Sequence, residues 1–492
     1  MNNVAVQIGI VGGGFSGLLS AWLLERLLSD EAEIVVLEAG DQAGGRVRTT
    51  LVPEAGVSYE AGVAEFYDIA GNPQLRHLVR HLGLETRPLT GTPSFVLDGR
   101  VVHDDAELAG WLGQRGIDQV RRFWERGTAL RPPADYALAG RPQDNEHPWL
   151  HRTFEDVLGE IDDARGAWFT AMQCHSDLAA DPARTSGLFG MDNLLIDHPG
   201  YCTMYTLTGG NDGLIRALAA QVTSPVERSV PVTSVRADDK RGIQVRCTTT
   251  GGPQTRDFDA LILTLPPAGL RALQWADATL SDAVDTHIRH HDHGTAYLRV
   301  TLLFRRRFWR GLFPDDYFVS DAFGGVTVYD QSPDVGAAGV GIQSWLIAGT
   351  DALVLAARPD ADIVAAVLRA MPSGVTVPDG ALITGCVDRW TGVAGVSGLP
   401  GGVPLLPLDR RHAPDTRWPQ LLFVGDYLYD STLCGALDAV LHVVTRLAGR
   451  LSGRPLAPDA ALALFAPPSG AVVASPDPVP HAAFFLEERS RS

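Results

Sequence analysis

The first forty residues alternate between apolar runs and a glycine-rich turn in a pattern that predicts a strand, a helix and a second strand. The largely apolar run Val6–Val11 is typical of a buried strand. It is followed at once by the glycine-rich turn Gly12–Gly17 and then by the apolar helical pattern Leu18–Leu28. A second buried strand is predicted over Ile34–Leu37 and ends at Glu38. The pattern therefore predicts a β-turn-α-β unit of a parallel sheet.

This unit has the spacing of a dinucleotide-binding turn. Gly12 permits the tight turn, Gly14 lets the backbone approach a pyrophosphate, and Gly17 lets helix and strand pack closely. The helix N-terminus offers free N–H groups and partial positive charge to phosphates. Glu38, 21 residues after Gly17, is placed to accept hydrogen bonds from ribose hydroxyls. The alternative is a glycine-rich turn in another parallel sheet, since a chain with 52 glycines contains such spacings by chance.

The remaining chain divides into helical and strand-like segments. Helices are predicted over Gln74–Leu84, Ala106–Gln114, Ile117–Gly127, Thr153–Ile161, Leu214–Gln221, Asp362–Ala370 and Gly435–Arg450. Strands are predicted over Val230–Val235, Ile243–Cys247, Phe258–Leu265, Tyr297–Phe304, Ala352–Ala356 and Leu421–Val424. The mixture of strands and helices indicates an α/β protein.

Composition narrows the class of protein. The net charge of −17 argues against nucleic-acid and anionic-membrane partners, which require clustered basic residues. No apolar run is long enough to span a membrane, and the N-terminus has no signal-peptide pattern. The five scattered cysteines contain no CxxC pair, which favours a reducing cytoplasm without disulfides or a zinc site. The sequence leaves the oligomeric state open.

Three further motifs resemble one family. Gly44–Thr49 (GGRVRT) resembles a GGRxxT segment that contacts a diphosphate, and Gly209–Gly210 opens a helix ahead of strand Val232–Val235. Leu422–Asp426 resembles a strand end whose acid binds the ribityl chain of FAD. With the N-terminal unit, these motifs resemble the flavin-dependent amine oxidase superfamily over about residues 4–450. That superfamily includes monoamine, polyamine and L-amino-acid oxidases and related desaturases.

The resemblance implies a Rossmann-type FAD-binding domain and the residues that contact the cofactor. They are Gly12, Gly14, Phe15, Ser16, Gly17, Glu38, Ala39, Gly44, Gly45, Arg46, Gly62, Val232, Gly425, Asp426 and Leu433. The helix that begins near Gly435 is expected to direct its N-terminal dipole at the flavin pyrimidine edge. FAD is expected to be non-covalent, because Val396–Pro400 holds no cysteine where monoamine oxidases tether flavin.

The resemblance also implies a division of the chain into domains. The FAD-binding domain is expected from residues 1–70, 206–295 and 408–455. A mixed α+β substrate-binding domain is expected from the inserted segments 71–205 and 296–407. Residues 456–492, rich in Pro and Ala, are expected to form a loosely docked or disordered tail.

Two candidate catalytic residues are departures from the family pattern. Arg299 stands ten residues before Trp309, where the family usually has a lysine near flavin N5, and the single lysine, Lys240, lies on a predicted surface hairpin. Arginine keeps the charge but cannot release a proton near neutral pH; the alternatives are a different register or a solvent-facing strand arginine. Glu65 stands where amino-acid oxidases place an arginine that binds the substrate carboxylate. It favours an ammonium or hydroxyl group, unless it is salt-bridged within the protein.

Other candidates are weaker. The two positions of the family's aromatic cage hold Val393–Val396 and Ser431–Cys434, so the cage is expected to be missing. The cluster His287–His293 could bind a metal, relay protons or form a solvated loop, and the favoured interpretation is the loop, with no metal. Cys174 and His175 are interpreted as structural.

The leading functional prediction is an FAD-dependent oxidoreductase that oxidises an amine or amino-acid-like substrate by hydride transfer to flavin N5. Its partners are expected to be a small-molecule substrate and O₂ or another electron acceptor. The first alternative is a desaturase or dehydrogenase of a natural-product intermediate, favoured by the missing lysine and cage. The second is a non-catalytic binding protein of the same fold.

Overall fold

The structure, a computed structural model, describes residues 5–89, 94–198, 200–238, 242–291, 295–333, 339–392 and 405–467. Its helices are α1 Phe15–Leu28, α2 Gln74–His81, α3 Asp105–Leu130, α4 Pro133–Tyr136, α5 Phe154–Leu158, α6 Ala164–Leu178, α7 Gly187–Leu195, α8 Gly213–Gln221, α9 Pro267–Ala272, α10 Ala278–His291, α11 Gly349–Ala356, α12 Asp360–Arg369, α13 Leu408–Arg411 and α14 Leu433–Leu451.

Its strands are β1 Val6–Val11, β2 Ala32–Leu37, β3 Thr49–Val52, β4 Val57–Glu60, β5 Phe66–Ile69, β6 Thr86–Pro88, β7 Ser94–Leu97, β8 Arg100–Val102, β9 Cys202–Leu207, β10 Val226–Glu227, β11 Val232–Asp238, β12 Gly242–Thr249, β13 Gly252–Phe258, β14 Ala260–Leu263, β15 Gln274–Trp275, β16 Tyr297–Phe304, β17 Tyr317–Ser320, β18 Val326–Asp330, β19 Gly341–Ala348, β20 Leu382–Trp390 and β21 Leu421–Phe423.

A five-stranded parallel sheet collects strands from distant parts of the chain. Its order is β10-β2-β1-β14-β21, and the central strand β1 pairs Ile8 with both Ile34 and Ala260. Strands β1 and β14 are apolar and largely buried, as expected where helices cover both faces of a parallel sheet. Helix α1 packs against α8 and α14. The carboxyl ends of β1, β2 and β21 therefore meet at one edge.

A seven-stranded, mostly antiparallel sheet lies beside this one in the order β20-β16-β19-β18-β17-β7-β8. Strand β16 pairs along its whole length, with β19 on one side and β20 on the other. In this register Arg299 faces Leu346 on β19 and Asp388 on β20. The sheet thus fixes Arg299 in a rigid position rather than on a loop.

Most predicted elements are present, but three differ. The predicted strand Ala352–Ala356 is wrong, because these residues belong to helix α11, which packs on β16 and β19. The helices predicted over Ala106–Gln114 and Ile117–Gly127 form one run, α3, with a break at Gly113 (φ 77°). Helix α14 begins two residues before Gly435 because the Thr432 side chain caps it.

The start of the predicted tail is ordered against the first helix. Ala461 and Phe465 are buried, and the Phe465 ring lies 6.2 Å from that of Trp22 on α1. The expectation of a loose tail is therefore wrong for residues 456–467, and residues 468–492 lie outside the described ranges. Within the described residues, none of the helices has the length and apolarity needed to cross a bilayer.

Candidate active site

One cavity of about 770 Å³ runs from the edge of the parallel sheet to the face of the antiparallel sheet. Its volume lies within the range of roughly 300–1,000 Å³ typical of ligand and cofactor sites. Eleven of the fifteen residues expected to contact a cofactor line it, and so do both candidate catalytic residues, Glu65 and Arg299. The four exceptions are Gly17, Ala39, Val232 and Gly425.

The glycines at the sheet edge leave space that side chains would fill. A Cβ added to Gly14 or Gly45 would have only backbone atoms within 4 Å, and both residues line the cavity. Gly17 lies beneath the turn, where a Cβ would approach the Gly12 carbonyl oxygen to 1.9 Å. Helix α1 has no side-chain cap at its N-terminus and no acid in its first turn. This end of the cavity can therefore accept an anionic group on backbone N–H donors.

Glu38 fixes the turn and faces the cavity. Its Oε2 accepts a hydrogen bond from Gly13 N (2.6 Å), and its Oε1 accepts one from Gly40 N (2.7 Å). Each carboxylate oxygen can accept more than one hydrogen bond. Glu38 can therefore also accept hydroxyl groups of a ribose.

Arg46 and Asp426 meet across the cavity. Arg46 donates two hydrogen bonds of 2.7 Å to the two carboxylate oxygens of Asp426, a bidentate ion pair. Both residues line the cavity, so the pair joins the turn after β2 to the end of β21. The remaining Arg46 N–H groups can bind phosphate.

Helix α14 directs its N-terminus at the same cavity. Thr432 Oγ1 accepts hydrogen bonds from Cys434 N (3.1 Å) and Gly435 N (3.3 Å), and Leu433 and Ala436 line the wall. The backbone cradle, a ribose-binding acid, an arginine for phosphate and a helix dipole together fit a flavin dinucleotide. Gly12, Phe15, Ser16, Gly44 and Gly62 complete the part of the wall that would hold it.

Arg299 lies at the far end of the cavity. It is 3% exposed, so the alternative of a solvent-facing strand arginine is wrong. Its Nη1 donates to Ser344 Oγ (3.1 Å), and its guanidinium lies 5.6 Å from the centre of the Tyr329 ring. Its Nε has no hydrogen-bond partner, and no described carboxylate lies within 4 Å of the guanidinium. The charge is therefore fixed but not neutralised by an ion pair.

Glu65 lies near Arg299 without pairing to it. Its Oε1 accepts a hydrogen bond from Tyr67 OH (2.8 Å), its buried Oε2 has no partner within hydrogen-bond geometry among the described residues, and the hydroxyl of Tyr329 also lies close enough to lower the pKa of Glu65. Burial raises the pKa of Glu65, and the nearby charge of Arg299 opposes that shift. The alternative of a Glu65 salt bridge is therefore not what the described residues show.

Two more acids lie within Coulombic range of Glu65. Asp177 on α6 lines the cavity, and Asp197 follows α7. Burial and the negative charges of Asp197 and Glu65 raise the pKa of Asp177 well above its usual range. Burial and Glu65 raise the pKa of Asp197 to about 7. We call Glu65, Asp177 and Asp197 the carboxyl triad; of its three members, Glu65 has the cation Arg299 near it.

Aromatic side chains line this end, although the sequence pattern predicted no cage. Tyr67 on β5 and Tyr297 on β16 face the cavity near the carboxyl triad, and Trp390 ends β20 beside Gly62. The predicted cage position Val393–Val396 lies outside the described residues, as do Lys240 and Val396–Pro400. Tyr67 and Tyr297 follow no family motif, and alternation along strands was the only signal that could have placed them.

The remaining candidates lie elsewhere. His287 and His291 are buried on α10, so the favoured solvated loop is wrong for them, while Asp292 and His293 lie outside the described residues. No group of three potential metal ligands occurs in the described ranges. His175 bonds to Gly325 O and Asp181 and does not line the cavity, and Cys174 is a buried thiol, so this pair is structural.

Comparison with known proteins agrees with this geometry. A family model described as flavin-containing amine oxidoreductase matches residues 15–447. Putrescine oxidase, solved with bound putrescine, superposes with a TM-score of 0.71 at 17% identity, covering 92% of this chain and all of that one. Cyclohexylamine oxidase from Brevibacterium oxydans IH-35A gives a TM-score of 0.68 at 18% identity, covering 91% of this chain and 100% of that one.

Curated relatives match over shorter stretches. Polyamine oxidase 1 from Oryza sativa subsp. japonica is 32% identical over 135 residues, 25% of this chain and 26% of that protein. Coproporphyrinogen III oxidase from Mycobacterium tuberculosis is 36% identical over 83 residues, 17% of this chain and 18% of that protein. The chain thus aligns with less than a third of the length of either relative. The family match over most of its length establishes that the chain belongs to the flavin-containing amine oxidoreductases and is a flavin-dependent oxidoreductase.

Proposed function

We propose that this protein is an FAD-dependent oxidase of small amines that enter the cavity as cations, with O₂ as electron acceptor. The observation that carries the proposal is the carboxyl triad near the end of the cavity opposite the glycine cradle, where Glu65 and Asp177 line the wall and Arg299 lies close to Glu65. In its ionised form this group of carboxyls attracts an ammonium group, whose positive charge opposes the effect of burial on their pKa values. It disfavours an α-amino acid, whose carboxylate would be repelled.

Non-covalent FAD and a Rossmann-type binding domain are part of this proposal. The cradle of Gly14 and Gly45, Glu38 for the ribose and Arg46 for the diphosphate support it. We assign the domain to residues 1–70, 206–295 and 408–455, and the substrate-binding domain to 71–205 and 296–407. All five strands of the parallel sheet fall within the first set.

The chemistry assigned to the residues begins with the substrate ammonium. Glu65 Oε2, which lacks a partner, accepts a proton from it and leaves a neutral amine. A bound flavin supplies the acceptor for the hydride that leaves the adjacent carbon. Water then hydrolyses the resulting iminium ion to an aldehyde and ammonium, and O₂ takes the two electrons and two protons as hydrogen peroxide. Tyr67 and Tyr297 hold the alkyl chain, and Arg299 stabilises negative charge.

A diamine is the substrate we favour within this class. The triad offers more carboxyl groups than one ammonium requires, so a second ammonium can bind at Asp177, which lines the cavity. The likeness to putrescine oxidase, which was solved with a diamine bound, is in keeping with this choice.

The test is an anaerobic screen of the purified holoprotein against a panel of monoamines, diamines and amino acids. We expect diamines to bleach the flavin absorbance fastest and amino acids slowest. Glu65→Gln should raise KM for amines at least tenfold, whereas Glu125→Gln, on the exposed face of α3, should leave KM unchanged. Equal reduction by amines and amino acids would overturn the proposal.

A dehydrogenase or desaturase is the second candidate, and Arg299 is the observation that favours it. Arginine at this position cannot relay protons to reduced oxygen. Stopped-flow mixing of reduced protein with O₂ separates the two. Rapid reoxidation supports the oxidase, and reoxidation over minutes supports the dehydrogenase.

A further inference from the structure

Asp430 is a half-buried acid beside the N-terminus of α14. It lines the cavity, and its Oδ1 accepts hydrogen bonds from Thr432 N (2.8 Å) and from the Thr432 hydroxyl. The same hydroxyl caps the helix by accepting from Cys434 N and Gly435 N. Asp430 therefore orients the cap, and its charge lies directly before the positive end of a 19-residue helix.

Asp430 packs so closely on the helix that the sequence there is constrained. A Cβ on Gly435 would lie 2.6 Å from Asp430 O and 2.8 Å from its Oδ1. Glycine is therefore required at position 435 to admit the acid. The acid is a fixed part of the helix end.

Its charge has no cationic partner, in contrast to neighbouring acids. The titratable groups within Coulombic range of Asp430 are Asp426, Asp192, Asp438, Tyr136 and Cys434. The three acids in that set are paired with Arg46, Arg131 and Arg141 respectively. No ion pair of Asp430 occurs among the described residues. When ionised, Asp430 is thus a negative charge at this wall without a cationic partner among the described residues.

We propose that Asp430 lowers the reduction potential of the flavin bound in this cavity, by opposing the positive end of α14. The inference rests on the proposed binding of FAD with its pyrimidine edge at this helix. Reduced flavin carries negative charge at that edge, so a carboxylate nearby disfavours reduction. The dipole of α14 alone would favour reduction of the flavin. Asp430 is a tuning residue and touches no reacting atom.

The test measures the midpoint potential of the holoprotein without substrate, against a reference dye. Asp430→Asn keeps the shape and the acceptor oxygen for Thr432 but removes the charge, and we expect a more positive potential. Glu125→Gln removes one charge from an exposed position and should leave the potential unchanged. An Asp430→Asn potential equal to or below that of the parent protein would overturn the inference.

The pH dependence supplies a second signature. Burial raises the pKa of Asp430, with hydrogen bonds from Thr432 opposing the shift, so the carboxyl gains its proton at a higher pH than an exposed aspartate does. The difference between parent and variant potentials should therefore shrink as pH falls. A purely structural role for Asp430 would give a difference independent of pH and would also count against the inference.

Two further outcomes keep the inference separate from the proposed function. If Asp430→Asn does not fold, Asp430→Ser replaces it, because a hydroxyl can still bond Thr432. If both variants fold but lose flavin, Asp430 is needed to retain the flavin, and the inference is rejected. A parent protein that binds no flavin defeats the proposed function itself, whereas a flavin-loaded parent with unshifted variants defeats only the inference.

Discussion

Arg46 and Asp426, 380 positions apart in the chain, form a bidentate ion pair with both bonds at 2.7 Å. Arg46 extends from the turn after β2, and Asp426 extends from the end of β21. The pair therefore connects two segments that are far apart in the chain. The pair lines the middle of the cavity, where the diphosphate of a bound flavin nucleotide would lie.

We expect Arg46→Ala to weaken flavin binding at least tenfold, because a charge-assisted hydrogen bond contributes about 1.5–3 kcal/mol. Arg46→Lys should have an intermediate effect, since lysine keeps the charge but loses the bidentate geometry. The flavin-to-protein ratio after gel filtration and a fluorescence titration measure this. Full flavin content in Arg46→Ala would contradict the assignment.

Gly62→Ala should destabilise the fold. An added Cβ would meet the Arg46 carbonyl oxygen at 1.9 Å, so the backbone must shift, at a cost of about 1–3 kcal/mol. Gly110→Ala is the matched control, because nothing lies within 4 Å of its Cβ on α3. It should leave stability unchanged or raise it by about 1 kcal/mol or less. Urea unfolding of both variants tests the contrast.

The carboxyl triad predicts opposite pH effects on activity and stability. Burial and Glu65 raise the pKa of Asp197 to about 7, so between about pH 4 and 7 the folded protein holds a proton that the unfolded chain has lost. The raised pKa values of Glu65 and Asp177 act in the same direction. Stability contributed by the triad therefore falls as pH rises through this window, while attraction for cationic amines grows.

Asp177→Asn tests that relationship. At pH 8 it should raise the melting temperature by a few degrees and raise KM for diamines at least tenfold. Because the pKa of Asp177 is raised, the difference in melting temperature should become smaller as pH is lowered from 8 to 5. A variant that is less stable than the parent at pH 8 would refute this account of the site.

His287 should make the protein sensitive to acid. Its buried ring, 4% exposed, has no hydrogen-bond partner on either nitrogen, and burial followed by repulsion from His290 lowers its pKa to about 3. Below about pH 6.5 the unfolded chain binds a proton that the folded state refuses. Stability should fall by at most about 1.4 kcal/mol per pH unit as pH drops toward 3.

His287→Phe should flatten that acid slope, since a phenyl ring can pack against Phe423, whose ring lies 4.6 Å away. The exposed His151→Gln is the control and should keep the parent slope. Unfolding free energies at pH 4 and 7 supply the measurement. Equal slopes for the parent and His287→Phe would exclude His287 as the cause.

Arg299→Lys introduces the residue type that the resemblance to the family implies at this position. The shorter ammonium can release a proton, so reoxidation of the reduced protein by O₂ should accelerate roughly tenfold or more. Stopped-flow absorbance follows the rate, and Arg305→Lys, an exposed arginine after the same strand, serves as control. An unchanged rate in Arg299→Lys would show that this position does not limit the reaction with oxygen.

The residues at the cofactor end of the cavity could be predicted because most of them belong to short, contiguous sequence motifs. The strand Val6–Val11 was predicted with its observed bounds, and Gly12, Gly14 and Glu38 face one cavity. Short apolar runs were ambiguous: Ala352–Ala356 resembles a strand, yet it folds as a helix because it packs across β16 and β19.

The substrate end was harder to predict because no motif links its members. Asp177 and Asp197 belong to a helix and a loop far from Glu65, and only tertiary packing brings the three together. Asp430 and Thr432 were likewise invisible, since their importance depends on the observed start of α14.

The order of the parallel sheet determines when a nascent chain can first hold its cofactor. Strand β21 pairs with β14, and Asp426 follows it, so the nucleotide cleft stays open on one side until more than four hundred residues have left the ribosome. Chains released early by translational arrest would therefore be flavin-free and would expose the apolar edge of β14.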